Sequence, residues 1–359
     1  MKQPGFFDFK ERLARLSELG DQFEAFSRTV DFEAFRPDLD KVQAYADGGK
    51  GGRPQFDPVL MFKILVIQTL NNLFDERTEY LINAPLSFMR FLGLGLSDRG
   101  PDAKTVWLFH ERLTQAGAID VLFNRFDATL RNAGYLLMSG QILDVTLVVA
   151  PMQWNTNDEK TDLREGRIPQ DWQDKPSKLS HKDEHARWPL KFAQARRQEG
   201  GTIPSTNLSI LFFGYKSHIS IDRKFRLIRK CKTTDAAAVD GARLREGLLD
   251  KTNTVSMVWT DTVYRSKANE DFRKKQGFVS KEHRKKPYLK PMPRHIQRSN
   301  AGKSVIRSRV EHFFADQKSQ TGLFARTVGI ARATMRIGLA NIVYNMRRFL
   351  LLERINAFA

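Results

Sequence analysis

Cysteine is nearly absent, with Cys231 the single one in 359 residues. An internal disulfide framework and any multi-cysteine zinc site are thereby excluded, and a reducing compartment is expected. Long apolar runs are missing as well. The longest, Val59 to Leu70, is broken by Lys63 and Gln68 and falls short of the ~20 residues that a membrane-spanning helix needs. Residues Met1 to Lys10 carry no apolar stretch followed by a small-residue cleavage site, so no secretory leader is expected and the reading is a cytoplasmic protein. Negative charge is the scarcer sign: 41 Asp plus Glu against 59 Lys plus Arg leave +18. Such a surplus draws a protein to a polyanion, and nucleic acid becomes the leading partner, with no membrane. Hydrophobic residues at 41% and charged ones at 28% exclude disorder as the main state.

The charge is unevenly spread. Residues 1–136 hold 17 basic and 19 acidic side chains (−2), whereas 137–359 hold 42 and 22 (+20). From Arg273 to Arg309, 13 cations face one acid, Glu282, and Phe278, Tyr288 and three prolines are interleaved. This pattern suits a semi-rigid basic loop laid along a phosphate backbone, where Lys285 and Lys286 are candidate DNA contacts. A solvated basic loop is the plainer alternative.

The two parts also differ in periodicity. Residues 1–136 read as an all-helical region with a Gly-rich joint at 47–54. Apolar patterns over Pro58–Leu73 and Leu81–Leu96 predict helices, and Asp98 to Asp102 reads as a turn and N-cap before a helix over Lys104–Gln115. Such a succession can form a helix-turn-helix, with Lys104, Thr105, Trp107, His110 and Arg112 heading a recognition helix. A packing or assembly module is the alternative. After Gly140 come strand-like segments at Ile142–Val149, Leu208–Ile221, Leu227–Thr233 and Val255–Trp259, with helical composition over Ala236–Leu249 and Ser266–Gln276. The fold class is therefore α/β (α+β) for 137–359, preceded by the helical region, with a polar insertion at about 155–204.

Three carboxylates stand out. Asp144 lies alone in an apolar strand, where an ionised group is expensive unless it is paired or binds a cation. Asp261 ends a second strand. Glu311 belongs to a predicted helix on which Arg307, Glu311 and Lys318 fall within roughly 40° of one another. Two strands and a helix can bring three such acids onto two Mg²⁺ ions, which clamp the attacking and leaving oxygens of a phosphoryl displacement, while Arg307 and Lys318 hold phosphate. Each piece alone also fits a capped strand end or a solvated salt-bridge stripe.

Together, Gly140-Gln-Ile-Leu-Asp144, Gly214-Tyr-Lys-Ser-His218, Thr234-Asp-Ala-Ala-Ala238, Trp259-Thr-Asp-Thr-Val-Tyr-Arg265 and Arg307-Ser-Arg-Val-Glu-His-Phe-Phe314 resemble the bacterial insertion-sequence-five family of DDE transposases. Gly329-Ile-Ala-Arg-Ala-Thr334, Asn341-Ile-Val-Tyr-Asn-Met-Arg347 and Gly52-Arg-Pro-Gln-Phe-Asp-Pro58 look like that family too, so the resemblance spans nearly the whole chain. It implies a ribonuclease H-like catalytic core with Asp144, Asp261 and Glu311 as catalytic and metal-holding triad, and Mg²⁺ as cofactor with Mn²⁺ as a substitute. It also implies double-stranded DNA partners, both inverted-repeat ends and target, a homodimer in the synaptic complex and a nucleoid-associated location in a bacterium. The wider group's Tyr-x2-Arg-x3-Glu-x6-Lys signature is matched by Arg307, Glu311 and Lys318, with Ser304 at the Tyr position. Within the insertion, Lys182-Asp-Glu-His-Ala-Arg-Trp188 is similar to the family's pattern, and Arg187 with Trp188 are candidates for a phosphate and a stacked base, or for an anchor to the core. Lys216 and Arg265 complete the candidate DNA contacts. Alternatives are a metal-dependent endonuclease that cuts without joining, and a DNA-binding protein that has lost catalysis.

Two other motifs carry little weight. His181-Lys-Asp-Glu-His185 matches a zinc-peptidase pattern, but prolines bound it and no apolar helix face accompanies it. Gly302-Lys-Ser304 ends like a phosphate-binding loop, yet Gln297 stands where the first glycine belongs, so no ATP site is predicted.

Overall fold

The computed structural model describes residues 8–44, 55–136, 139–189, 192–194, 207–209, 212–252, 256–284 and 291–357. The Gly-rich joint at 47–54 and the pair Lys285 and Lys286 lie outside them.

The amino-terminal part is helical: α1 (Asp8–Glu18), α2 (Gln22–Thr29), α3 (Arg36–Ala44), α4 (Pro58–Leu70), α5 (Asp75–Ile82), α6 (Leu86–Leu92), α7 (Ala103–Gln115) and α8 (Ile119–Asn132). Asp57 starts α4 by accepting from the Val59 and Leu60 amides at 2.9 and 3.0 Å, and Pro58 supplies a first-turn residue that needs no donor. Apolar on nearly every side, α4 is buried along Met61, Phe62, Ile64, Leu65, Val66 and Ile67, as such a helix must be. Asp102 caps α7 from the Thr105 amide at 2.7 Å, as its position in the sequence implied. The stretch Leu81–Leu96 is not one helix. Pro85 cannot donate within a helix, so α5 stops at Asn83 and α6 restarts, ending at Gly93 with φ +75°.

Five strands form one mixed sheet: β1 (Gln141–Val149), β2 (Gly214–Asp222), β3 (Ile228–Asp235), β4 (Met257–Trp259) and β5 (Val279–Ser280), in the spatial order β3-β2-β1-β4-β5. The hairpin partners β2 and β3 run antiparallel, β1 pairs antiparallel with β2, and β4 and β5 are parallel to β1 and to each other. Asp144 stands opposite Ile219, and Ile142 opposite Trp259. The predicted strand Leu208–Ile221 is broken: Asn207–Ser209 pairs with Phe192–Gln194 in a separate ladder, and β2 begins afresh at Gly214. A side chain there would put its Cβ 2.3 Å from the Val148 carbonyl, at φ +151°, so only glycine lets the two strands close. The helix expected over Ala236–Leu249 also fails to run through. It shrinks to α12 (Asp240–Arg243) and a wide turn that Gly247 breaks at φ +89°. The insertion packs three short helices, α9 (Asn157–Arg164), α10 (Gln170–Gln173) and α11 (Pro176–His181), around the buried Trp172, whose Nε1 donates to Glu159 at 2.6 Å.

Further along, α13 (Lys267–Lys275) leads to β5, and two long helices complete the chain, α14 (Arg294–Gln320) and α15 (Ile330–Ala357). The largest core runs from Phe26, Phe62 and Leu122 through Ile219 to Ile342 and Met346. The helical region and the sheet therefore share one interior. Helix α15 also closes the sheet edge, because the Asn345 amide donates to the Ile228 carbonyl at 2.9 Å while its oxygen accepts from the Ile228 amide at 2.8 Å. No helix among the described residues is long and apolar enough to cross a membrane.

Candidate active site

Three acids distant in sequence come within electrostatic reach of one another, since Asp144 feels both Asp261 and Glu311. Asp144 lies mid-way along β1 with only 13% of its side-chain surface exposed, and its Oδ1 accepts from the Val145 amide at 2.9 Å. Asp261 follows the adjacent parallel strand β4 and caps the short turn Thr262–Tyr264, accepting from the Thr262 amide at 2.6 Å. Glu311 is exposed on α14. Arg307, one turn earlier on the same helix, reaches Asp144 at 3.0 Å with Nη1 and Glu311 at 3.3 Å with Nη2. The local helix geometry read from the sequence places Arg307 beside Glu311; the packing of α14 on β1 adds Asp144.

Burial, foremost, pushes the Asp144 carboxyl up to about 6 from 3.8. The Val145 amide and Arg307 hold it down, while Asp261 and Glu311 push it further up. A group that feels both other acids marks where the three fields converge. Tyr264 lies in the same field. Its hydroxyl is buried without a hydrogen-bond partner among the described residues, and burial, then Asp144, Asp240 and Asp261, drive the phenol above its usual range.

A hydrogen-bonded assembly lies next to Asp261 in the chain. Thr260, next to it, donates to Glu282 at 3.0 Å, and Glu282 forms a buried ion pair with Arg273 of α13. Lys303 of α14 donates to the Glu282 carbonyl at 2.7 Å. Beside these, His283 Nε2 stands 3.2 Å from the Ser304 hydroxyl, and burial with the Arg307 charge holds the imidazole below its usual range. One hydrogen-bonded assembly thus ties the end of β4 to the helix that carries Glu311. Sequence reasoning missed Glu282 and His283. The available signal was Glu282 itself, the only acid in a run of 13 cations. Arg273, counted in that run as a cation for a polyanion, faces the interior at 1% exposure.

Other candidates fare differently. Lys318 is exposed on α14, within two turns of Glu311. Arg187 is spent internally: its guanidinium donates to the carbonyls of Glu184, Ala186 and Leu163 at 2.5 to 3.0 Å. Trp188 packs between Trp154 and Phe213, ring centroids 5.1 and 5.4 Å away, and donates to the Gln153 carbonyl, which is the anchoring arrangement. Lys216 is held by Asp240 and the Ala238 carbonyl, both at 2.7 Å, and Arg265 pairs with Glu270 at 3.2 Å. On α7, Lys104 and Trp107 face outward, and Arg112 lies 3.5 Å from Gln55. His110, expected on the same outward face, turns inward instead; burial and Arg336 push it down to about 4. The two histidines of the zinc-peptidase pattern do not share a helix, since α11 ends at His181 and Lys182 is extended. Gly302 to Ser304 lie inside α14 rather than in a loop.

Residues 11–112 match the family described as Transposase domain (DUF772), and residues 194–346 match the Transposase DDE domain. The chain carries the domains of a DDE transposase. No solved structure matches it. Within the DDE domain of this transposase fall Asp261, Arg307, Glu311 and Lys318, while Asp144 precedes the matched residues on β1.

Domains of this kind generally use divalent metal ions. The donors that meet here are all carboxylate oxygens, the hard ligands suited to Mg²⁺ or Mn²⁺. A guanidinium already lies between two of the carboxylates, so the site attracts a cation in the place where the ion would be needed. Among the described residues no three His, Cys, Asp or Glu side chains stand close enough together to hold a metal ion as they are.

Proposed function

We propose that this transposase binds the terminal inverted repeats of an insertion sequence, cleaves the DNA ends and joins the freed 3′ hydroxyl to target DNA. Asp144, Asp261 and Glu311 act as its catalytic triad in a ribonuclease H-like core. The observation that carries this reading is the convergence of β1, β4 and α14, which puts Asp144 in the combined field of the other two acids and Arg307. The sheet order and its mix of antiparallel and parallel pairs support the ribonuclease H-like assignment.

The three carboxylates would hold two Mg²⁺ ions, which when bound activate the attacking oxygen and stabilise the leaving one. The protein's own groups do the rest. Asp144, pushed up to about 6 by burial, would serve as a ligand in its carboxylate form. Arg307, freed from its carboxylate partners, and Lys318 bind the phosphates flanking the scissile bond. The Thr260–Glu282–Arg273 assembly fixes the direction of Asp261. The region 1–136 serves in end binding and assembly, with Lys104 and Arg112 available on α7, and the working species is a homodimer on DNA.

The test is cutting and joining of a labelled duplex that carries the element's terminal repeat, with and without Mg²⁺, wild type beside Glu311→Gln. Metal-dependent cleavage and strand joining, both lost in the variant, are expected. Binding without cleavage in either protein would replace this reading with that of a DNA-binding protein lacking catalysis.

A further inference from the structure

A cationic surface outside the active site lies at the turn between β2 and β3. Arg223, Lys224 and Arg226 occupy three of its five positions, with Phe225 among them. The two long helices hold this turn by its backbone. Arg348 donates to the Phe225 carbonyl at 2.7 Å, the Tyr344 hydroxyl to the Arg226 carbonyl at 3.0 Å, and Arg309 to the Arg223 carbonyl at 3.5 Å. Arg226 is itself in the left-handed region, φ +58°. A loop so restrained presents its cations from a fixed frame.

The turn borders a groove of about 1030 Å³ between α2, α14 and α15, to which Arg226, Arg309, Arg348 and Arg354 contribute. Acids line the groove too, but they are engaged. Asp21 and Glu24 pair with Arg90, Asp316 with Arg347, and Glu353 accepts the Tyr135 hydroxyl at 2.6 Å. Among the described residues no carboxylate pairs with Arg223, Lys224, Arg226, Arg309, Arg348 or Arg354. Like charges crowded without counter-charge oppose folding, and a polyanion laid across them removes the cost.

The location separates this surface from the triad. Arg309 is two residues from Glu311 and therefore about 200° around α14, on the far side of a helix about 10 Å across. A strand engaged at Glu311 does not lie in the groove. We propose that the Arg223–Arg226 turn with Arg309 and Arg354 forms a second duplex-DNA surface, which grips backbone phosphates of a DNA segment other than the one being cut. It rests on the reading of the chain as a DNA-processing enzyme. Arginine and lysine side chains with no acceptor groups among them give phosphate contact without base discrimination, so the grip is sequence-independent.

The test is duplex binding by fluorescence anisotropy over a salt series, using a random-sequence duplex and the full-length chain. The variant is Lys224→Gln/Arg226→Gln/Arg309→Gln, and an equal-charge control is Lys10→Gln/Lys251→Gln/Lys267→Gln. Each lost phosphate contact lowers the slope of log K against log salt by about 0.9. The groove variant should lose about 2 to 3 in slope and at least tenfold in low-salt affinity, with the control near wild type. Unchanged slope, or the same fall in the control, would overturn the proposal. If the triple variant does not fold, Lys224→Gln alone, at an exposed position, is expected to lose about one unit of slope, and no change there would be equally decisive. The reading of the triad fails by a different sign, absence of wild-type cleavage, which leaves the salt slopes interpretable.

Discussion

Removing Glu282 should destabilise the transposase far more than its place in a basic, solvent-facing stretch of sequence would suggest. Arg273 and Glu282 are exposed to only 1% and 5% of their side-chain areas, and among the described residues the Arg273 Nε and Nη2 have no hydrogen-bond partner. Glu282→Ala leaves a buried guanidinium without counter-charge, which costs ~3–5 kcal/mol, and strips Thr260 of its acceptor, adding about 1 kcal/mol. Against a total stability on the order of 5–15 kcal/mol, a loss of about 4–6 kcal/mol brings the fold close to its limit. The double variant Arg273→Leu/Glu282→Leu removes both charges together and should recover most of the loss, since a buried pair exchanged for apolar groups is often neutral. Urea denaturation followed by circular dichroism reads all three proteins. A loss below about 1 kcal/mol for Glu282→Ala, the range of an exposed pair, would refute the claim that this pair is internal and holds the end of β4.

Three further outcomes are expected. Asp144→Asn should raise stability at pH 8, because a carboxyl displaced from 3.8 to about 6 by burial is strained when ionised by up to ~3 kcal/mol, offset in part by the lost Arg307 pair. The folded state binds the extra proton, so this gain should shrink as pH falls below about 6 and vanish below about 4; a destabilised variant at pH 8 would count against it. His218 is fully buried, its Nε2 2.9 Å from the Thr234 hydroxyl, and is pushed down to about 4 chiefly by burial. The unfolded chain therefore takes up a proton from about pH 6.5 downward while the folded one does not, and stability should fall between pH 6.5 and 4 by on the order of 3 kcal/mol, a slope that His218→Gln removes in urea titrations. Gly214→Ala, which must place a methyl against the Val148 carbonyl, should cost more than ~2 kcal/mol or yield no soluble protein; an unchanged melting temperature would contradict the close strand approach.

Much of the local structure was legible from residue types alone. Asp57-Pro58 and Asp102 name their own helices, because a side-chain acceptor at the N-cap and a proline in the first turn act within a few residues. The apolar β-branched run Ile142–Val149 is a strand for equally local reasons. Failures came where a single glycine or proline overrode an apolar pattern, at Pro85, Gly214 and Gly247, since conformational breaks outweigh composition. Arg187 was a candidate phosphate contact and Arg273 was counted in the basic run, but neither a motif nor a charge says whether a side chain finds its partners inside.

The sequence by itself determined the helical and strand-bearing halves, the surplus of positive charge, and the pairing of Arg307 with Glu311, which needs only one turn of helix. Tertiary structure alone decided what no spacing encodes. It brings Asp144 to Arg307 across 163 positions, turns His110 inward against Arg336, buries Glu282 beneath β4, and assembles the arginines of a turn and two helices on one groove. Those outcomes depend on which faces pack together, and packing is settled by the whole interior at once rather than by any segment's own preference.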